Sequence, residues 1–131
     1  MASFSEKSKK ELLTCHPKLQ EVLNEVIKYF DFTVICGHRG EEAQNEAFRN
    51  GLSRKKFPNS KHNSMPSMAV DIAPYPVTWE NVEEFYFLAG IVIAFGIMKG
   101  IKIIFGGNWD GDNDMHDQTF MDLGHYQLEE E

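Results

Sequence analysis

A chain of 131 residues that is 42% hydrophobic and 25% charged is long enough for one domain with one core and too apolar to be disordered. Its formal net charge of -7 argues against non-specific binding to nucleic acid and against an anionic membrane surface. Two cysteines, Cys15 and Cys36, make neither a disulfide framework nor a Cys-x-x-Cys pair, so they read as free or buried thiols and not as a thiolate metal site.

Residues 1–16 form a polar, lysine-rich lead-in with a short helix expected over residues 8–14 and no apolar stretch of the kind a secretory signal needs. Pro17 suits the first turn of a helix. Leu19, Val22, Leu23, Val26, Ile27 and Phe30 then recur at helical spacing and leave Lys18, Glu21, Glu25 and Lys28 for the wet face. The β-branched run Phe32–Cys36 predicts a strand, broken by Gly37-His38-Arg39-Gly40. A second helix is predicted over residues 41–50, with an acidic start at the positive end of its dipole and Gly51 in the C′ position. Residues 52–61 read as a basic, polar loop with Arg54, Lys55 and Lys56.

Residues 69–73 alternate as a strand: Val70 and Ile72 point one way, and Ala69, Asp71 and Ala73 the other, which sets Asp71 among small neighbours. Pro74 and Pro76 turn the chain, and Thr78 is expected to cap a long helix over residues 79–99 that stops at Gly100. The apolar run at residues 85–98 falls short of the roughly 18 residues that a membrane span requires. It predicts a buried core helix, with Gly90 and Gly96 tolerated for close packing against the sheet. A strand over residues 101–105, a glycine- and aspartate-rich loop over residues 106–119, a strand His125–Leu128 and an acidic tail complete the chain. This order predicts a single α+β domain over residues 1–131, a small, mainly antiparallel sheet with flanking helices.

A catalytic zinc site takes three protein ligands and keeps a fourth position for water. His62 on a loop, Asp71 on one strand and His125 on another supply two nitrogens and one oxygen. On the last strand His125 and Gln127 share one face while Tyr126 and Leu128 share the other, so His125 faces a site as its neighbours face the core. Asp122 precedes His125 with Gly124 between them to allow a tight turn. Its carboxylate is placed to take a proton from water, although aspartates in turns also bond backbone amides. Arg39, at a strand end, is a permanent cation that either holds a carboxylate or developing oxyanion, or simply sits exposed in a turn.

Ser60-Lys61-His62, then Asp71 in the setting Ala69-Val70-Asp71-Ile72-Ala73-Pro74-Tyr75, then Asp122-Leu123-Gly124-His125, resemble the zinc peptidases of the D-alanyl-D-alanine carboxypeptidase and VanY type. Gly37-His38-Arg39, Phe105-Gly106-Gly107-Asn108-Trp109 and His116-Asp117 bring the likeness closest to the phage endolysins among them, the L-alanyl-D-glutamate peptidases. It runs from about Lys9 to Leu128. The resemblance implies a hedgehog/DD-peptidase-like fold, zinc held by His62, Asp71 and His125, Asp122 as catalytic base, Arg39 as the substrate- or oxyanion-binding arginine, and Ser60 and His116 in support. It implies bacterial peptidoglycan as substrate, no nucleic acid, no membrane insertion, a monomer, and a phage lysin held in the host cytoplasm until a separate pore releases it to the wall. The chain departs from the family's pattern in a longer interval between His62 and Asp71, residues 63–70, and in lacking the usual glycine there. Rival readings are a D-alanyl-D-alanine carboxypeptidase with the same chemistry, a non-catalytic metal- or wall-binding module, and a calcium-dependent structural protein without zinc.

Asn108, Asp110, Asp112 and Asp114 place oxygen ligands at every second residue, as a calcium loop does at its positions 1, 3, 5 and 7. Asn113 stands where such a loop has its sharp-turn glycine, and Thr119 where it has its bidentate glutamate. Calcium is therefore a second candidate cofactor.

Overall fold

Among the described residues, four strands pair antiparallel: β1 (Phe32–Cys36), β2 (Ala69–Pro74), β3 (Ile103–Phe105) and β4 (His125–Leu128), in the spatial order β1-β2-β4-β3. The helices of the described residues are α1 (Glu6–Leu12), α2 (Pro17–Val26), α3 (Glu41–Arg49) and α4 (Val82–Met98), with a 3-10 turn at Lys61–Asn63. The computed structural model describes residues 2–53, 55–107 and 122–129. Asn108, Asp110, Asp112, Asp114 and His116 lie outside the described residues.

The α2 pattern resolves as expected: Leu19, Val22, Leu23 and Val26 are buried, Pro17 opens the helix, and the His16 ring accepts from the Lys18 amide as N-cap. One face of the sheet meets this helix and α4, and Val34, Val70, Ile72 and Tyr126 form the sheet's side of the core. The lead-in does more than precede the fold. Ser5 caps α1, which begins at Glu6 and so starts earlier than the expected 8–14. From α1 and just beyond it, Ser8, Glu11 and Thr14 accept from the backbone amides of Val34, Gly37 and His38. An edge strand exposes unpaired amides; Ser8 takes up one in β1, and Glu11 and Thr14 take up the two amides at which the chain leaves that strand.

Four further expectations are corrected. The long helix begins at Val82, not at residue 79: Asn81 donates to the Thr78 carbonyl in a turn, and Trp79 stacks on Phe85 at 5.4 Å from outside the helix, so Thr78 is not its cap. The helix is not buried all round. Phe85, Leu88, Ala89, Val92 and Gly96 face the core, but Phe87, Ile97 and Met98 are 63–75% exposed, because α2 and the sheet cover one side of it. Gly96 is packed tightly, whereas nothing approaches Gly90. The strand after Gly100 starts at Ile103, since the Ile101 amide is taken up by the Gly96 carbonyl in the helix exit. Among the described residues, no helix is long and apolar enough to cross a membrane.

Candidate active site

Sheet register brings the chemistry together. Asp71 on β2 lies opposite His125 on β4 and, across a shift in the β1–β2 ladder between Val34 and Cys36, opposite Cys36 on β1. Bulges of this kind re-aim a strand end, and here the chain leaves β1 as Gly37-His38-Arg39 directly beside Asp71. The 3-10 turn brings His62 to the same place. Ser60 caps that turn, its hydroxyl accepting from the His62 amide while its own amide donates to the Asn63 side chain. The Arg39 amide donates to the His62 carbonyl at 2.8 Å, which ties the two segments together.

The long interval between His62 and Asp71 is absorbed locally. The Met68 amide donates to the Lys61 carbonyl at 3.0 Å, closing the loop at its base, and Met65 is left exposed at its outer end. Ser67, near the place of the missing glycine, is buried, with its hydroxyl 2.6 Å from the Ala69 carbonyl.

Both imidazoles are locked by their outward nitrogens. His62 Nδ1 donates to the Gly37 carbonyl at 2.7 Å, and His125 Nε2 donates to Gln127 Oε1 at 2.8 Å. Their inward nitrogens, His62 Nε2 and His125 Nδ1, each lie 3.2 Å from the same atom, Asp71 Oδ1. In neutral rings those inward nitrogens carry lone pairs, so three acceptors face one another and something positive must sit among them. This is the donor set and outer-shell pattern of a metal site. In the absence of a cation the same conflict is relieved by protons. Burial alone would raise the Asp71 carboxyl, but hydrogen bonds from His125 and His62 and their charges hold it far below the usual carboxylate range. Burial would lower His125, yet the Asp71 hydrogen bond and charge raise it above 6.5.

Asp122 completes the group. Asp71, Asp122 and His125 offer ligand atoms within 4.8 Å of one another, as do Cys36, His62 and Asp71, so the two clusters meet at Asp71. Burial pushes the Asp122 carboxyl upward and the Asp71 charge adds to it, against smaller lowering by His125 and a Gly124 backbone hydrogen bond. A buried carboxyl of raised pKa beside a cluster that could hold a cation is suited to accept and return a proton. Gly124 is needed for a reason other than turn geometry. Its φ is not positive, but a Cβ there would lie 2.7 Å from the Ile72 carbonyl oxygen. Burial likewise raises the Cys36 thiol, and the Arg39 charge only partly offsets it, which keeps sulfur the poorer ligand here.

Arg39 is neither exposed nor idle. Its Nη2 donates to Asp71 Oδ2 at 3.0 Å and its Nη1 to Gln44 Oε1 at 3.0 Å.

A family model described as phage L-alanyl-D-glutamate peptidase matches residues 1–129. The chain belongs to that family. Within it, the L-alanyl-D-glutamate peptidase of Escherichia phage T5 is 35% identical over 135 residues, covering 95% of this chain and 96% of the phage protein. Among solved structures, the Serratia marcescens L-Ala D-Glu endopeptidase ChiX aligns with a TM-score of 0.77 at 28% identity, over 96% of this chain and 89% of that one. The α+β class expected from the order of elements is the one observed, and the fold is similar to that of ChiX.

His62, Asp71, His125, Asp122, Arg39 and Ser60 are all brought to one end of the sheet. Sequence reading missed three contributors. Gln127 had a detectable signal, since it shares the His125 face. The Gly37 carbonyl and the Gln44 amide had none: one is backbone, and the other is a glutamine in a polar helix.

Proposed function

We propose that this chain is a zinc-dependent endopeptidase that hydrolyses the L-alanyl-D-glutamate bond in the stem peptides of bacterial peptidoglycan, with residues 1–131 forming one catalytic domain. The observation that carries the reading is the pair of imidazoles anchored outward and aimed at one carboxylate oxygen. His62, Asp71 and His125 would hold the ion. Zinc bound there would polarise the scissile carbonyl and lower the pKa of a water toward about 7.

The chain's own residues do the rest. Asp122 accepts the proton of the attacking water and delivers it to the leaving amine. Arg39 keeps its charge at any working pH; it steadies Asp71 and places positive charge where the carbonyl oxygen becomes negative. Ser60 holds the turn that carries His62. The enzyme acts as a monomer, is made in the host cytoplasm, and meets its substrate once the membrane is opened. The spacing of Asn108, Asp110, Asp112 and Asp114 along the sequence is suited to calcium, and His116, two residues further on, to a supporting contact.

Metal analysis of the purified chain, joined to digestion of purified peptidoglycan with sequencing of the new termini, tests this reading. Stoichiometric zinc and free N-terminal D-glutamate are the expected results. Loss of terminal D-alanine alone would instead mean a carboxypeptidase, and stoichiometric calcium without zinc would overturn the metal assignment.

A further inference from the structure

We infer that Gln44 is a positioning residue of the active site. It sets which edge of the Arg39 guanidinium faces Asp71, and thereby which Asp71 oxygen is free for the metal. The inference rests on the zinc-peptidase reading and adds to it a residue on α3.

Gln44 is fully buried, at 0% exposure, in a helix whose other side chains are mostly wet. Its amide is saturated. Oε1 accepts from Arg39 Nη1 at 3.0 Å and from Asn63 Nδ2 at 3.2 Å, while Nε2 donates to Ser53 Oγ at 3.0 Å and to the Lys55 carbonyl at 2.6 Å. The orientation of the amide follows from its partners. A guanidinium has only donors and a carbonyl only acceptors, so the oxygen must face Arg39 and the nitrogen must face Lys55.

The consequence passes through one planar group. With Nη1 held by Gln44, the guanidinium presents Nη2 to Asp71 Oδ2 at 3.0 Å. The other carboxylate oxygen, Oδ1, is then the one that both imidazole nitrogens face. Without Gln44, Arg39 is free to rotate into a two-pronged pairing with Asp71 or to leave it. In the first case Oδ1 is drawn away from the imidazoles; in the second Oδ2 is released to become a second metal ligand. Asn63 reinforces the arrangement, since its amide also donates to the Arg39 carbonyl at 3.0 Å and so ties the His62 turn to the same hub.

The test uses the full chain loaded with cobalt(II), whose visible absorption reports coordination number, together with zinc affinity by chelator competition and hydrolysis of a defined muropeptide. Gln44→Met, of similar volume, is expected to change the cobalt spectrum and to lower zinc affinity and kcat by about 10- to 100-fold, the range for outer-shell partners. The loss should be non-additive with Arg39→Lys, because Gln44 acts through that side chain. Asn45→Ala removes a different α3 anchor, the acceptor of the Phe57 amide, and is expected to keep the parent spectrum and rate. Should Gln44→Met not fold, Gln44→Glu replaces it in the cycle with Arg39→Lys, where non-additivity is again required. An unchanged cobalt spectrum, additive losses, or an equal loss in Asn45→Ala would overturn this inference alone. A parent chain that binds neither ion would overturn it together with the zinc reading.

Discussion

At Asp71 one carboxylate serves two tasks, with Oδ2 committed to Arg39 and Oδ1 to the imidazoles. Burial and the Asp71 charge push the Asp122 carboxyl upward, and the raised pKa leaves it able to exchange a proton. Asp122→Asn keeps the shape but not the exchangeable proton. Zinc content should therefore stay at the parent value while kcat falls by about 10²- to 10⁴-fold; parent-rate hydrolysis would assign the base elsewhere. A different residue illustrates a cost. Tyr126 is buried, stacked on Phe105 at 5.3 Å, and its hydroxyl has no hydrogen-bond partner among the described residues. An unsatisfied buried group costs about 1–3 kcal/mol, so Tyr126→Phe should raise the thermal midpoint, and a clear fall would reveal a partner for the hydroxyl.

The two interior glycines of α4 separate propensity from packing. A helix-interior glycine costs about 1 kcal/mol against alanine. At Gly90 no atom lies within 4 Å of a new Cβ, so Gly90→Ala should recover about that amount. At Gly96 the same methyl would sit 2.9 Å from the Ile101 carbonyl oxygen, where the chain doubles back toward β3. Forcing that backbone apart should cost about 1–3 kcal/mol, and chemical denaturation of the two variants should move in opposite directions. The exposure of Phe87, Ile97 and Met98 follows from the same element: it is apolar on every face, but the fold covers one.

Across the molecule the site joins the 3-10 turn, β2 and β4, so a bound ion cross-links parts of the chain far apart in sequence. Anything that binds the folded state stabilises it by mass action, about 2.7 kcal/mol when free metal is 100 times its Kd. Chelation should therefore lower the thermal midpoint. The pH dependence has a definite sign. In the metal-free chain, His125 has a raised pKa, so its contribution is full below 6.5 and is lost as pH rises through the raised value. Asp71 has a depressed pKa, so its contribution is present above 3.8 and is lost as pH falls through the depressed value. The metal-free midpoint should thus peak between those limits. Zinc bound as proposed would replace the proton on His125, so the increment it gives should grow from acid toward neutral pH. A zinc increment independent of pH would mean that His125 is not a ligand.

The amino-acid sequence by itself determined the strands Phe32–Cys36 and His125–Leu128, the helix after Pro17 and the chemical types of His62, Asp71, His125 and Asp122, because alternation, helical spacing and ligand chemistry are local properties of neighbouring residues. Only the tertiary structure decided the rest. Trp79 lies on Phe85 from outside a helix that begins only at Val82; α1 and the turn after it lend Ser8, Glu11 and Thr14 to β1 and to the segment that leaves it; and Gln44, one glutamine in a polar helix, becomes the buried partner of Arg39. Each of these depends on which surface packs against which, and that is settled by contacts between residues distant in the chain, which leave no periodic trace along it.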